Sequence, residues 1–235
     1  YGIQDTEEAN EWLSRCINSR PTHVALDSET TGLYPRDGYV LGISLSYEED
    51  RGVYIDTECF DERTEALLQT LANQTTIVFH NAKFDMAFFE YHFNLVFPKF
   101  EDTMLLHYLI DENPGGHGLK QLAMKYTVYG DYEKPQYDWM DKYRKDHGML
   151  KNDFTWDLIP FDIMKTYAAM DAVVTLLVYK KFVKIKQNKR LGKVYDNILI
   201  PGCRFLTDIQ ENGVPFDVQR LTQSQALMQV EIDEA

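Results

Sequence analysis

The chain has 235 residues, 44% hydrophobic and 26% charged, which suits a globular protein with one sizeable α/β domain and a smaller appendage. Its formal net charge of −13 argues against a broad Lys/Arg surface for gripping phosphates, though not against carboxylates that gather divalent cations and so turn a positive centre toward a phosphate. No run reaches the roughly 18 apolar residues of a membrane span, no basic-then-apolar leader opens the chain, and Cys16, Cys59 and Cys203 form no C-x-x-C pair, so neither a disulfide framework nor a thiolate zinc site is indicated.

These features suggest a reducing intracellular compartment, cytoplasmic by default, with no membrane and no oligomer implied. Residue 1 is Tyr rather than Met, so the chain reads as processed or as a fragment. Residues 5–19 have helical periodicity, with Ala9, Trp12, Leu13 and Cys16 on one side and Pro21 beyond the end. Three strands are expected at 23–28, 39–47 and 52–56, separated by turns marked by Gly32, Pro35, Asp37–Gly38 and Asp50. A helix over 61–73 leads to a strand at 75–79, and helices follow at about 82–93, 102–111 and 118–126. The hairpin-linked strands should be antiparallel, and 75–79 should reach 23–28 through a crossover and lie parallel to it.

Residues 127–157 are crowded with Tyr, Trp, Lys and Asp and lack clear periodicity, so they read as a long, partly ordered excursion. A long helix is expected over 161–186, running into a basic stretch with Lys180, Lys181, Lys184, Lys186, Lys189, Arg190 and Lys193. Cations near a helix C-terminus suit its dipole, which explains them more simply than contact with DNA does. A helix over 195–211 ends at Asn212–Gly213, Val214–Asp217 reads as a short strand, and a final helix from about 218 still runs at Ala235.

Three local signals carry candidate chemistry. Asp27 and Glu29 stand at i and i+2 at the end of an apolar strand, so both project from one face and can share a cation. Asp85 closes His80-Asn81-Ala82-Lys83-Phe84-Asp85 and falls in the first turn of a helix, where an acid also suits the dipole. Tyr167 and Asp171 stand at i and i+4 on the long helix, flanked by small residues. Each signal alone has a bland explanation. Together they bring four carboxylates toward one end of an α/β sheet, and burying like charges there is costly unless a cation compensates. Oxygen-only ligands suit Mg²⁺, with Mn²⁺ as a substitute.

With these motifs, LDSETTGL (26–33), FHNAKFD (79–85) and YAAMDAVVTL (167–176), the sequence resembles the proofreading 3′–5′ exonuclease domain of family A DNA polymerases, within the DnaQ-like, ribonuclease H-like fold. The resemblance extends over about 20–217, because 191–217 looks like the family's junction into the polymerase thumb. It implies an α/β fold with a mixed five-stranded sheet flanked by helices and a C-terminal helical extension. It further implies an exonuclease domain over 1–190 and the beginning of a polymerase domain over 191–235.

The family's four metal-binding acids would be Asp27, Glu29, Asp85 and Asp171, holding two divalent cations. Its tyrosine would be Tyr167. A sister branch has His where this chain has Thr166, so the tyrosine branch fits. Thr30, Leu33, His80 and Asn81 would contact the substrate, a single-stranded DNA 3′ end, and a polymerase domain would follow in the same chain. Two other readings compete: a ribonuclease D-type exoribonuclease, and a catalytically silent nucleic-acid-binding domain. His80, His107 and His117 show no ligand spacing and read as core or loop histidines.

Overall fold

Val24, Ala25 and Leu26 are all buried, a pattern that needs cover on both faces of a strand. In the computed structural model, which describes residues 1–188 and 190–233, their strand lies inside a mixed sheet. The strands are β1 (Gly2–Ile3), β2 (His23–Thr30), β3 (Val40–Ser46), β4 (Val53–Asp56), β5 (Thr76–Phe79) and β6 (Phe100–Asp102), in spatial order β1-β4-β3-β2-β5-β6. As expected, β2 pairs antiparallel with β3, β3 antiparallel with β4, and β5 parallel with β2. The sheet has six strands rather than five. Both β1 and β6 are too short to show an alternation in sequence, and each is recruited by pairing parallel to a longer neighbour.

The helices are α1 (Thr6–Ser19), α2 (Glu62–Gln74), α3 (Ala82–Phe93), α4 (Thr103–Ile110), α5 (Leu119–Tyr126), α6 (Lys134–Asp146) and α7 (Phe161–Asn188). The strand period sorts side chains between two cores. Val24, Leu26, Ile77 and Phe79 enter the core shared with α1, α2 and α3. Ala25 and Val78 enter the core shared with α4, α5 and α7. Asp27 and Glu29 follow Ala25 at two-residue steps and so point toward the α7 side, whereas Ser28 points toward α3. A register irregularity between Glu29 and Thr30 ends the regular ladder at this point.

Gly52, in the β3–β4 connection, lies directly against α7. A Cβ there would intrude on the carbonyl oxygen of Ala169. The absent side chain lets the hairpin and α7 approach closely two residues before Asp171.

The 127–157 excursion is more ordered than its sequence suggested. It contains the 13-residue helix α6 and two 3-10 turns, Lys151–Asp153 and Trp156–Leu158. Within α6 only Gln136 is fully buried, so no apolar stripe marks the helix. Trp139 and Met140 pack on a small core formed by Tyr54, Ile159, Met164 and Ala168. Pro135 suits the first turn, and Lys134 pairs with Asp138 one turn later.

Beyond α7, α8 (Gly192–Val194) continues through a π-helical stretch, Tyr195–Leu199, into α9 (Ile200–Asn212). Tyr195 is fully buried and accepts a hydrogen bond from the Asp102 amide at 2.8 Å, and Arg204 pairs with Glu90 at 2.6 Å. Val214–Asp217 does not form the expected strand. Gly213, at φ +68°, ends α9, and the chain stays irregular until α10 (Val218–Asp233), whose residues are all exposed. Of the basic stretch, Lys180 pairs with Glu49 at 2.9 Å, Lys186 with Asp196 at 3.0 Å, and Lys181 stands over the Tyr126 ring. Lys189 and Ala235 lie outside the described residues. Among the described residues no helix is long and apolar enough to cross a membrane.

Candidate active site

Asp27 and Glu29, on the α7 side of β2, meet Asp171 of α7. One carboxylate oxygen from each lies within 4.8 Å of the others. Glu29 and Asp171 are buried, and Asp27 is partly open to solvent. Asp85 reaches the same strand end from the α3 side. Its Oδ1 accepts hydrogen bonds from the Ser28 amide at 2.9 Å and the Ser28 hydroxyl at 2.6 Å. Asp85 is therefore pinned to Ser28, the residue between Asp27 and Glu29, and approaches them from the other face of the strand.

The chain turns into α3 through Asn81, whose φ is +70°. Asn and Asp tolerate this left-handed conformation better than most residues. Asn81 makes no side-chain capping bond. Instead, the buried carboxylate of Asp102 accepts from the amides of Ala82 at 2.8 Å, Met104 at 2.8 Å and Leu105 at 3.1 Å, joining the starts of α3 and α4.

The electrostatics follow from packing acids together away from water. Desolvation, then the charge of Asp85, pushes Asp27 well above its ordinary range. Desolvation, then Asp27 and Asp171, does the same to Glu29. Asp171 is raised by desolvation and by Asp27, against the hydrogen bonds of Tyr132 and Tyr167 that favour its ionised form. Asp85 is pushed up to about 7 by desolvation, its bonds to Ser28 opposing the rise. Glu29 Oε1 is buried and has no hydrogen-bond partner among the described residues. A buried, unsatisfied carboxylate oxygen inside a group of oxygen donors is what a hard divalent cation would satisfy, so these residues fit such an ion.

Tyr167 is half-buried one turn before Asp171, near enough to favour that carboxylate's ionised form. The other expected contacts are more varied. Thr30 donates to the Gly32 carbonyl at 2.8 Å. Leu33 is 77% exposed and rims a cavity of about 300 Å³ lined also by Ser28, Glu29, Phe84 and Trp156. His80 is turned onto the Thr103 hydroxyl at 2.8 Å, and burial pushes its pKa down to about 4.

Sequence reasoning missed three residues that reach this place. Tyr132 donates its hydroxyl to Asp171 Oδ1 and stacks on Tyr167 with ring centroids 6.5 Å apart. Glu133 is buried, adds negative charge near Glu29 and Asp171, and is paired with Lys120 at 3.3 Å. Trp156 lines the cavity and packs 6.0 Å from Tyr167. The aromatic crowding of the excursion was the one signal for them.

His107 and His117 come together with their Nδ1 atoms 2.8 Å apart. His117 Nε2 bonds the Asn113 carbonyl at 2.9 Å and must donate there, so in the neutral pair His107 donates to His117 Nδ1. No third protein ligand joins them among the described residues.

A family model described as a 3′–5′ exonuclease matches residues 1–187. The DNA polymerase of Escherichia phage T5 is 47% identical over 232 residues, 95% of this chain and 27% of that protein. The chain therefore spans about a quarter of that relative's length. Among solved structures, the POL domain of Pol1 from M. smegmatis, in complex with DNA primer-template and dNTP, has a TM-score of 0.70 at 17% identity, covering 100% of this chain and 36% of that one. Escherichia coli RNase D, an exoribonuclease, has a TM-score of 0.65 at 18% identity, covering 91% and 51%. These two likenesses establish the fold.

Proposed function

Because this chain belongs to the 3′–5′ exonuclease family, we propose that it is the editing segment of a family A DNA-directed DNA polymerase and hydrolyses the terminal phosphodiester of single-stranded or frayed DNA 3′ ends. The observation that carries this reading is the convergence of Asp27, Glu29 and Asp171 around the unsatisfied Glu29 Oε1, beside a cavity open at Leu33. The relatedness to a phage DNA polymerase favours DNA over RNA as substrate.

Asp27, Glu29 and Asp171 would hold one divalent cation, and Asp27 with Asp85 a second, Mg²⁺ being the ion that oxygen-only donors suit and Mn²⁺ its substitute. Such a pair activates water and offsets the charge that develops on the leaving oxygen. The chain's own residues do the rest. Asp85, tied to Ser28 through Oδ1, has its other oxygen left for a water or an ion. Tyr167, whose hydroxyl burial and the surrounding carboxylates push well above its ordinary value, remains protonated and orients the attacking water by hydrogen bonding rather than by taking its proton.

Thr30 and Leu33 line the approach for the terminal nucleotides, His80 and Asn81 would contact them from the start of α3, and Leu33 and Trp156 offer apolar faces to a base. Contacts of this kind read sugar, phosphate and base faces, so sequence preference is weak. Mispaired ends unstack at lower cost, which selects errors. Residues 1–190 form the nuclease in this reading, and 191–235 form the junction toward a polymerase domain.

The test is degradation of labelled single-stranded DNA with Mg²⁺ or with EDTA, comparing the native chain with Asp27→Ala. Mg²⁺-dependent release of 3′ nucleotides is expected, with Asp27→Ala slower by about 10³-fold or more. Equal rates in the two proteins would end the metal-site assignment. Faster hydrolysis of the matching RNA would move the reading to the exoribonuclease alternative.

A further inference from the structure

We propose that Tyr132 is a positioning residue for the cation site, its hydroxyl fixing the carboxylate of Asp171 so that the opposite side of that carboxylate faces Asp27 and Glu29. The hydrogen bond runs from Tyr132 Oη to Asp171 Oδ1, across 39 residues of sequence. A carboxylate offers about four lone-pair positions, so one phenol donor orients it without using up its capacity for a cation. The Tyr132 ring is held in place independently of that bond. It stacks on Tyr167, 6.5 Å away and inclined by 27°. The next residue, Glu133, is anchored by Lys120 at 3.3 Å, and Lys120 also reaches Asp131 at 3.3 Å.

A segment that only covered the carboxylates would be expected to bring apolar or cationic groups. This one brings a neutral O–H donor to a ligand oxygen, plus a carboxylate already paired with its own lysine. Hydrogen bonds to ligating carboxylates and imidazoles fix their orientation, and losing such a partner typically weakens metal binding by about 10–100-fold.

The inference rests on the cation reading above, and the experiment separates the two. Mn²⁺ affinity is measured by paramagnetic resonance of free Mn²⁺ on the native chain and on Tyr132→Phe, with the melting temperature of each recorded in EDTA. The Phe variant keeps the ring stacked on Tyr167, so its melting temperature in EDTA should fall by no more than the few degrees that one lost hydrogen bond costs. Its Mn²⁺ affinity should fall about tenfold.

A fall of less than about threefold, with native binding intact, overturns the role of Tyr132 and leaves the cation site standing. A native chain that takes up no Mn²⁺ at millimolar concentration overturns the cation site and the inference together. If Tyr132→Phe is recovered unfolded, Tyr132→Leu replaces it under the same thresholds, having neither a hydroxyl to offer Oδ1 nor a ring nitrogen to bind Mn²⁺.

Discussion

The four acids stand on strand β2 and helices α3 and α7, whereas Tyr132, Glu133 and Trp156 arrive on the loops and short turns around α6. The first region is built from elements buried on two sides, and Asp85 and Asp171 are almost inaccessible. The second is anchored by aromatic contacts and a surface-accessible lysine. The contrast is physical. Buried like charges repel and seek water, and only a backbone fixed by many neighbours holds them together. A phenol or an indole carries no such penalty and can be delivered by a less constrained segment. In the proposed function, charge and water orientation belong to the rigid region, while binding and alignment belong to the excursion.

That division can be broken. Tyr167→Phe removes a hydroxyl from the rigid region and should slow hydrolysis by about 10²-fold while leaving KM nearly unchanged. Single-turnover rates on labelled single-stranded DNA would show it, and a loss as large as that of Asp27→Ala would mean that Tyr167 does more than orient water. Trp156→Leu removes an aromatic face from the cavity and should raise KM about tenfold with kcat within about threefold, in line with stacking of roughly 1–3 kcal/mol per base. If kcat fell instead, the excursion would share in the chemistry and the contrast would fail.

The smallest expected effect concerns stability without metal. Asp85 moves from an ordinary 3.8 to about 7 on folding. A raised carboxylate favours the folded state in its protonated form. Its contribution is therefore present below about pH 4 and is lost as pH rises through about 7. In EDTA, Asp85→Asn should melt several degrees above the native chain at pH 8 and at the same temperature at pH 4. A constant offset at both pH values would show that the carboxyl charge is not the cause.

The same contrast governs what could be read from sequence. Asp27, Glu29, Asp85, Tyr167 and Asp171 could be singled out because strand and helix periods fix which side chains share a face. The parallel pairing of β2 and β5 followed from the crossover between them. No local rule reaches from Tyr132 to Asp171, because that contact depends on how a 31-residue excursion folds back. Helix α6 was hidden by its lack of an apolar stripe. At 214–217, Val and Phe suggested a strand, but no neighbouring strand pairs with them among the described residues. His107 and His117 lie ten residues apart, and the loop that joins them has no period to announce their meeting.

Gly52 bears on all of this from outside the acid cluster. It stands where a methyl group would press on the Ala169 carbonyl, in the narrow seam between the β3–β4 connection and α7. A side chain there would act as a shim, levering Tyr167 and Asp171 off β2 together. The spacing between the acids of β2 and Asp171 thus depends on a residue outside the donor set, and the gap can be tuned from that seam while every donor keeps its identity.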